Sequence, residues 1–227
     1  MEKLEKIENV LVLGLGISGI STVKLLEKLN KNIYVYDKKD KKDLHPNLKE
    51  IEHIKYYGYY GGDKPNLENI DLVIKSPGMP PNEEIIKEIH NLKIEIISDI
   101  ELAYQISDCK NFIVVTGTNG KTTVTTLLNK VLNESGRKVI LGGNIGYGIL
   151  DNILDAKADD IILIEASSFQ LNNINKLKPK IAIITNIGSD HLDWHGNVEN
   201  YQTAKKNIYK NQDKNDYIIL DNDDEYL

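Results

Sequence analysis

Arginine is almost missing from this sequence. Arg137 is the only one in 227 residues. Bidentate guanidinium forks are therefore nearly unavailable, and any bound phosphate or carboxylate must be held by backbone N–H groups and lysines. Cysteine is just as scarce: Cys109 stands alone. That excludes a disulfide framework or a cysteine-based zinc site within one chain, and it fits a reducing compartment. Positive charge is in deficit, with a net charge of -6, so no global field recruits nucleic acid or an anionic membrane. No apolar run approaches the length of a membrane span. The charged N-terminal stretch MEKLEKIENV lacks the apolar region of a signal peptide. A cytoplasmic monomer is expected.

The chain is long enough for one large or two ordinary domains with real cores. Its 41% hydrophobic and 27% charged residues are ordinary for a globular protein. Short apolar runs rich in β-branched residues recur at 10–13, 33–36, 72–74, 94–97, 112–115, 139–141, 161–164, 181–184 and 217–220. They read as strands buried on both faces. Amphipathic stretches at 18–29, 82–91, 122–135 and 198–210 lie between several of them. Such alternation predicts an α/β fold with mostly parallel sheets. Nine strands are many for one small open sheet, so a division near Ser98 is expected, giving domains 1–98 and 99–227. There SDIE offers a capping box, with Ser98 as N-cap and Glu101 three residues on, opening a helix from Asp99 to about Ile106.

In VLVLGLGISGIS, Gly14, Gly16 and Gly19 form G-x-G-x-x-G between a strand and a helix, and Asp37 ends the next strand. The glycines let backbone approach a phosphate, the helix N-terminus favours the anion, and the acid can accept from ribose or base. This pattern does not choose between NAD and another nucleotide, and a tight turn without a ligand would also show it. Ser76, Pro77 and Gly78 follow a strand end, where ligands bind in open α/β sheets and where plain turns also occur.

FIVVTGTNGKTTVTTLL carries a strand into a loop and then a helix. Val115 replaces the first glycine of the common G-x-x-x-x-G-K-[ST] spacing. The physics survives: the loop Gly117, Thr118, Asn119, Gly120 can curl round an anion, Lys121 supplies a point charge, and the Thr122 hydroxyl suits Mg²⁺, with Thr123 next on the helix. Glu165 lies just past an apolar strand in IILIEASSFQL, where an acid is costly unless exposed, paired or bound to a metal. Asn186, Asp190, His191, Asp193 and His195 share the loop after another strand. On a helical wheel Lys205 falls within the arc of Val198, Tyr201, Ile208 and Tyr209, whereas Lys206 points away. Lys205 either snorkels to water or is a partly desolvated amine of lowered pKa. A neutral amine can add CO₂ and become an anionic carbamate.

GTNGKTT, GGNIG, EASSFQL, NIGSDHLDWHG and YQTAKKNIY, in this order, resemble the central domain of the ATP-dependent Mur ligases of peptidoglycan synthesis. GLGISG together with SPG is similar to the family branch that adds D-glutamate to UDP-N-acetylmuramoyl-L-alanine. The resemblance covers nearly the whole chain. It implies a Rossmann-like N-terminal domain for the UDP-sugar and a P-loop-type central ATPase domain. It also implies that Ser18, Asp37, Ser76 and Gly78 contact the uridine diphosphate. Gly117–Thr123 would cradle ATP through Lys121, and Thr122, Glu165, His191 and Lys205 would serve magnesium, Lys205 as a carbamate. Asn144, Ser167, Gln170 and His191 would position the muramoyl-alanine part. Lys121, Glu165, His191 and Lys205 would be the catalytic set, forming an acyl phosphate from ATP before the D-glutamate amine attacks.

Two departures accompany the resemblance. The family's third, C-terminal domain, which supplies the D-glutamate site, is absent from this chain, so incomplete ligation is expected. Asp221 replaces a usual Asn, and Lys38 and Lys39 replace a common Thr-Arg pair after Asp37. A non-catalytic nucleotide-binding module and an NAD-dependent oxidoreductase are the competing readings.

Overall fold

Each of the nine apolar runs forms a strand in the computed structural model of the protein. It describes residues 5–44 and 46–226; residues 1–4 of the N-terminal stretch lie outside them. β1 (Asn9–Leu13), β2 (Asn32–Asp37), β3 (Tyr57–Tyr60), β4 (Leu72–Lys75) and β5 (Glu95–Ser98) form a sheet in the order β3-β2-β1-β4-β5. β6 (Phe112–Thr116), β7 (Val139–Gly143), β8 (Ile161–Glu165), β9 (Ile181–Ile184) and β10 (Tyr217–Leu220) form another, in the order β10-β9-β6-β8-β7. All neighbouring strands run parallel. Residues 10–13 of β1 and 112–115 of β6 are apolar and buried, as expected of strands covered on both faces.

β3 is the strand that the apolar pattern misses. Its sequence YGYY lies on the sheet edge with no buried residue, and Tyr57 stacks on Tyr34 at 5.1 Å between ring centroids.

The main helices are α1 (Ile17–Lys28), α2 (Glu84–Asn91), α3 (Asp99–Ile106), α4 (Lys121–Glu134) and α7 (Val198–Lys206); α5 (Ser168–Leu171) and α6 (Leu192–His195) are single turns. None is long and apolar enough to cross a membrane, among the described residues. In each sheet the chain departs to both sides of a central strand, β1 or β6. The C-terminal ends of those strands are therefore the switch points where α/β sheets open a crevice.

One hydrophobic cluster runs through both sheets. It includes Val10 and Ile74 of the first, Val114 and Ile164 of the second, and Ile100, Ala103 and Ile106 of α3 at the join. Half of the expected capping box forms there. Ser98 Oγ accepts from the Glu101 N–H, but the Glu101 carboxylate does not reach back. It accepts instead from the backbone N–H groups of Asn175, Lys176 and Leu177, at 3.0, 2.8 and 2.8 Å. Three charge-assisted bonds outbid one local cap. A complete box forms at the start of α5, between Ser167 and Gln170.

Glu101 thus pins the turn before β9 to α3. Glu101→Ala is expected to cost about 3 kcal/mol, because three backbone donors and the Gln105 amide lose their acceptor. Urea unfolding measures this, and a loss below about 0.5 kcal/mol would show that the turn holds without it.

Candidate functional site

The turn after β1 is built for close backbone approach. Gly14 has φ +88°, and a Cβ on Gly19 would meet the Gly14 carbonyl oxygen at 1.9 Å, so only glycine lets α1 start against the strand. Polar side chains brace the turn. Asp37 Oδ2 accepts from the Leu15 N–H at 2.7 Å and Oδ1 from the Lys39 N–H at 3.0 Å. Ser76 donates its hydroxyl to the Gly14 carbonyl at 2.9 Å, tying the SPG turn to the glycine turn. Ser18 donates to Asp99 Oδ2 at 2.6 Å. Both serine hydroxyls are thus spent inward. The groups left to face an anion are the first N–H groups of α1, whose N-cap Gly16 carries no side-chain cap.

A cleft of about 720 Å³ opens over this turn. Ser18, Asp37, Ser76 and Gly78 line it from the first sheet, and Asn144 and Gln170 from the second. Six of the eight expected substrate residues therefore share one cavity. Ser167 touches it through its bonds to Gln170, and His191 lies outside its lining. Lys38 and Glu83, also in the lining, form an ion pair at 3.0 Å.

The phosphate loop follows β6. Gly117 has φ +150°, and a Cβ there would meet Thr185 Oγ1 at 1.9 Å. Gly120 is left-handed and opens α4 with no side-chain cap, leaving its first N–H groups open to an anion. The loop is braced from the end of β9. Asn186 Oδ1 accepts from the Asn119 N–H at 3.0 Å, and Thr185 Oγ1 donates to the Asn119 carbonyl at 2.6 Å. Thr118 Oγ1 accepts from the Gly188 N–H and pairs with the Tyr201 hydroxyl at 3.1 Å. Two lysines converge on one carbonyl: Lys121 Nζ and Lys205 Nζ donate to Gly117 O at 2.9 and 2.7 Å.

Lys205 is 2% exposed and lies 4.6 Å from the Tyr201 ring centroid. The helical wheel located it correctly. Burial, reinforced by the Lys121 charge, lowers its amine to about 7.

Glu165 closes β8 between the two regions. Its register partners are Val115, just before the phosphate loop, and Gly143 in the cleft lining. It is 1% exposed; Oε1 accepts from Asn144 Nδ2 at 2.9 Å, and Oε2 is buried without a partner. An unpartnered carboxylate oxygen beside a phosphate loop fits a hard divalent cation, and the Thr122 hydroxyl one residue into α4 is of the same donor class. No group of three or more His, Cys, Asp and Glu side chains is placed to hold a metal among the described residues. His191, left-handed at the N-cap of α6, is half exposed beside Asp190. His195 is buried, bonded to Ser168 Oγ at 3.0 Å and stacked on Phe169, and burial lowers its imidazole to about 4. These contacts hold it between α5 and α7.

Residue patterns missed three participants. Asp99 reads as part of a cap, yet it is bonded to both Ser18 and Gln170. Lys75 in IKSPG is 3% exposed, lies 4.9 Å from the Trp194 ring centroid and has no hydrogen-bond partner. The charge ending an apolar strand was the available signal. Tyr201 reads as helix packing but reaches the loop through Thr118.

Lys205 loses its proton near 7 in the fold and near 10.5 when unfolded. The unfolded chain binds more protons between these values, so this residue makes stability rise with pH across that window. In carbonate-free buffer, the native protein should gain about 2 kcal/mol over Lys205→Met between pH 7 and 9. Parallel curves in urea titrations would show an amine that stays charged.

The Mur ligase middle domain matches residues 115–227, and the MurD-like Mur ligase N-terminal domain matches residues 8–98. The chain is 43% identical over 218 residues to a UDP-N-acetylmuramoylalanine–D-glutamate ligase of Thermoanaerobacter sp. (strain X514), covering 96% of this chain and 48% of that protein. It is 46% identical over 212 residues to the protein of the same name from Staphylococcus aureus (strain JH9), covering 93% and 47%. The chain spans about half the length of the curated relatives it matches. Among solved structures, a UDP-N-acetylmuramate:L-alanyl-gamma-D-glutamyl-meso-diaminopimelate ligase from Neisseria meningitides superposes with a TM-score of 0.65 at 18% identity, covering 97% of this chain and 73% of that one. A UDP-N-acetylmuramate-alanine ligase from Thermotoga maritima gives 0.57 at 19%, covering 96% and 50%. These two share the fold, Rossmann-like first and P-loop-type second. With both domain families matched in chain order, this protein belongs to the Mur ligases.

Proposed function

We propose that residues 1–98 bind the UDP end of UDP-N-acetylmuramoyl-L-alanine and residues 99–227 bind ATP, so that the alanine carboxylate is activated for addition of D-glutamate. The observation that carries this reading is the cleft lined from both sheets, together with the Asn144–Glu165 bond that links its lining to the strand beside the phosphate loop. The relatives' name supports the choice of substrate.

In this reading the diphosphate meets the first N–H groups of α1, and Asp37 and the SPG turn flank the uridine. Asn144, Ser167 and Gln170 hold the muramoyl-alanine part, with His191 at the rim. The alanine carboxylate oxygen attacks the ATP γ-phosphorus, the bond to the β-phosphate oxygen breaks, and ADP leaves an acyl phosphate. A carboxylate is a poor electrophile; phosphorylation turns one of its oxygens into a leaving group. The D-glutamate amine then attacks the carbonyl carbon, phosphate departs, and the amine loses a proton. Two anions meet in the first step, so Lys121 must turn from its loop carbonyls to the phosphates.

Mg²⁺, when bound, would neutralise charge between those anions. Glu165 Oε2 and the Thr122 hydroxyl are the groups to hold it, with His191 and a carbamate of Lys205 as further ligands. The carbamate forms when the neutral Lys205 amine adds CO₂ and releases a proton. The relatives are about twice as long, and ligation of D-glutamate is proposed to need the counterpart of their other half. The reading goes with a cytoplasmic monomer.

Calorimetry should give a saturable one-to-one isotherm for UDP-N-acetylmuramoyl-L-alanine. Folded protein that binds NAD⁺ and not this ligand would contradict the reading. With ¹³C-bicarbonate, a carbamate resonance should appear that Lys205→Ala lacks; its absence from the native chain would leave Lys205 a packing residue.

A further inference from the structure

Asp99 is a buried carboxylate that the proposed chemistry does not use. It is 2% exposed at the first position of α3. Oδ2 accepts from Ser18 Oγ, 81 residues away in sequence, and Oδ1 accepts from Gln170 Nε2, 71 residues away, at 2.6 and 2.9 Å. The Ile100 N–H also donates to Oδ1, at 2.9 Å. Ser18 and Gln170 line opposite halves of the cleft. We propose that Asp99 is a positioning residue that holds the two halves of the cleft in one alignment for a ligand spanning both.

A cap for α3 does not explain this residue. Ser98 Oγ already accepts from the Glu101 N–H. A buried carboxylate is costly to desolvate, and apolar packing of similar volume is often at least as stable. What the carboxylate adds is direction. Gln170 and Ile100 both present N–H groups to Oδ1, so that oxygen is an acceptor. The Gln170 amide is thereby locked one way round, with Oε1 accepting from the Ser167 N–H at 3.1 Å. Ser18, donating to Oδ2, anchors the first turn of α1, the end that faces an anion.

Burial raises the Asp99 carboxyl above the ordinary range, and its donors oppose the rise. Lys75 balances the join from the other side. It reaches from β4 to Trp194 on α6, and the Asp99 charge opposes the burial that lowers its ammonium to about 8. Asp99 and Lys75 thus cross the join in opposite directions.

The inference rests on the proposed function, and two ligands separate the two claims. In that reading UDP touches only the first half of the cleft, whereas UDP-N-acetylmuramoyl-L-alanine spans both. Calorimetry on the 227-residue chain should show Asp99→Ala weakening the spanning ligand about tenfold or more while UDP changes less than about threefold. Asp99→Asn, which matches in volume and keeps the acceptor for Gln170, should recover part of the loss. It carries the same comparison if Asp99→Ala does not fold. Adding Gln170→Ala to Asp99→Ala should cost less than the product of the single effects. Equal losses for both ligands would mark a merely structural residue, and no loss for either would mark an idle one; both overturn the proposal. Failure of the native chain to bind either ligand would overturn the reading of the cleft and the inference with it.

Discussion

The hydrogen bond from Asn144 to Glu165 joins two regions that would otherwise be separate. On one side is a cleft that reaches back to the glycine turn of the first sheet; on the other is a phosphate loop. The bond depends on strand register. β6, β8 and β7 lie side by side, so Val115, Glu165 and Gly143 end level with one another. Shifting β8 by one residue would turn the Glu165 side chain to the opposite face of the sheet. It would also bury a carboxylate with no partner. The parallel strands that hold this register are therefore as necessary to the site as its polar groups.

The scarcity of arginine shapes the rest. With one arginine in the chain, anion binding falls to helix N-termini and lysines. Both glycine turns leave their helices uncapped by side chains. The hydroxyls nearby are engaged inward: Ser18 with Asp99, Ser76 with Gly14, and Thr118 with Tyr201 and Gly188. They fix the geometry of the backbone donors at the two turns. Lys121 and Lys205 meet at a single carbonyl, and the burial of Lys205, reinforced by the Lys121 charge, makes its neutral amine accessible near neutral pH.

Much of this could be read in the residues. The parallel α/β architecture followed from strand-length apolar runs, because burial on both faces leaves few polar positions in a strand. Lys205 followed from helical period alone. β3 was invisible because an exposed edge strand needs no apolar run, and YGYY has none. Asp99 and Glu101 were misjudged because SDIE satisfies a local rule. The side chains instead answer donors more than 70 residues away in sequence, and no local pattern records those. His195 shares the loop of His191 in sequence, but its enclosure by three aromatic rings and its bond to Ser168 are set by residues distant in sequence or by the fold.

The central claim is that the cleft and the phosphate loop are two ends of one site. A crystal structure with UDP-N-acetylmuramoyl-L-alanine, a non-hydrolysable ATP analogue and Mg²⁺ tests it most directly. The account predicts the diphosphate at the first turn of α1, the triphosphate around Lys121, a metal on Glu165 Oε2, and the alanine carboxylate directed from Asn144 and Gln170 toward the γ-phosphate. Ligands bound with the carboxylate pointing away from the phosphate loop, or a Glu165 carboxylate facing no metal, would contradict it.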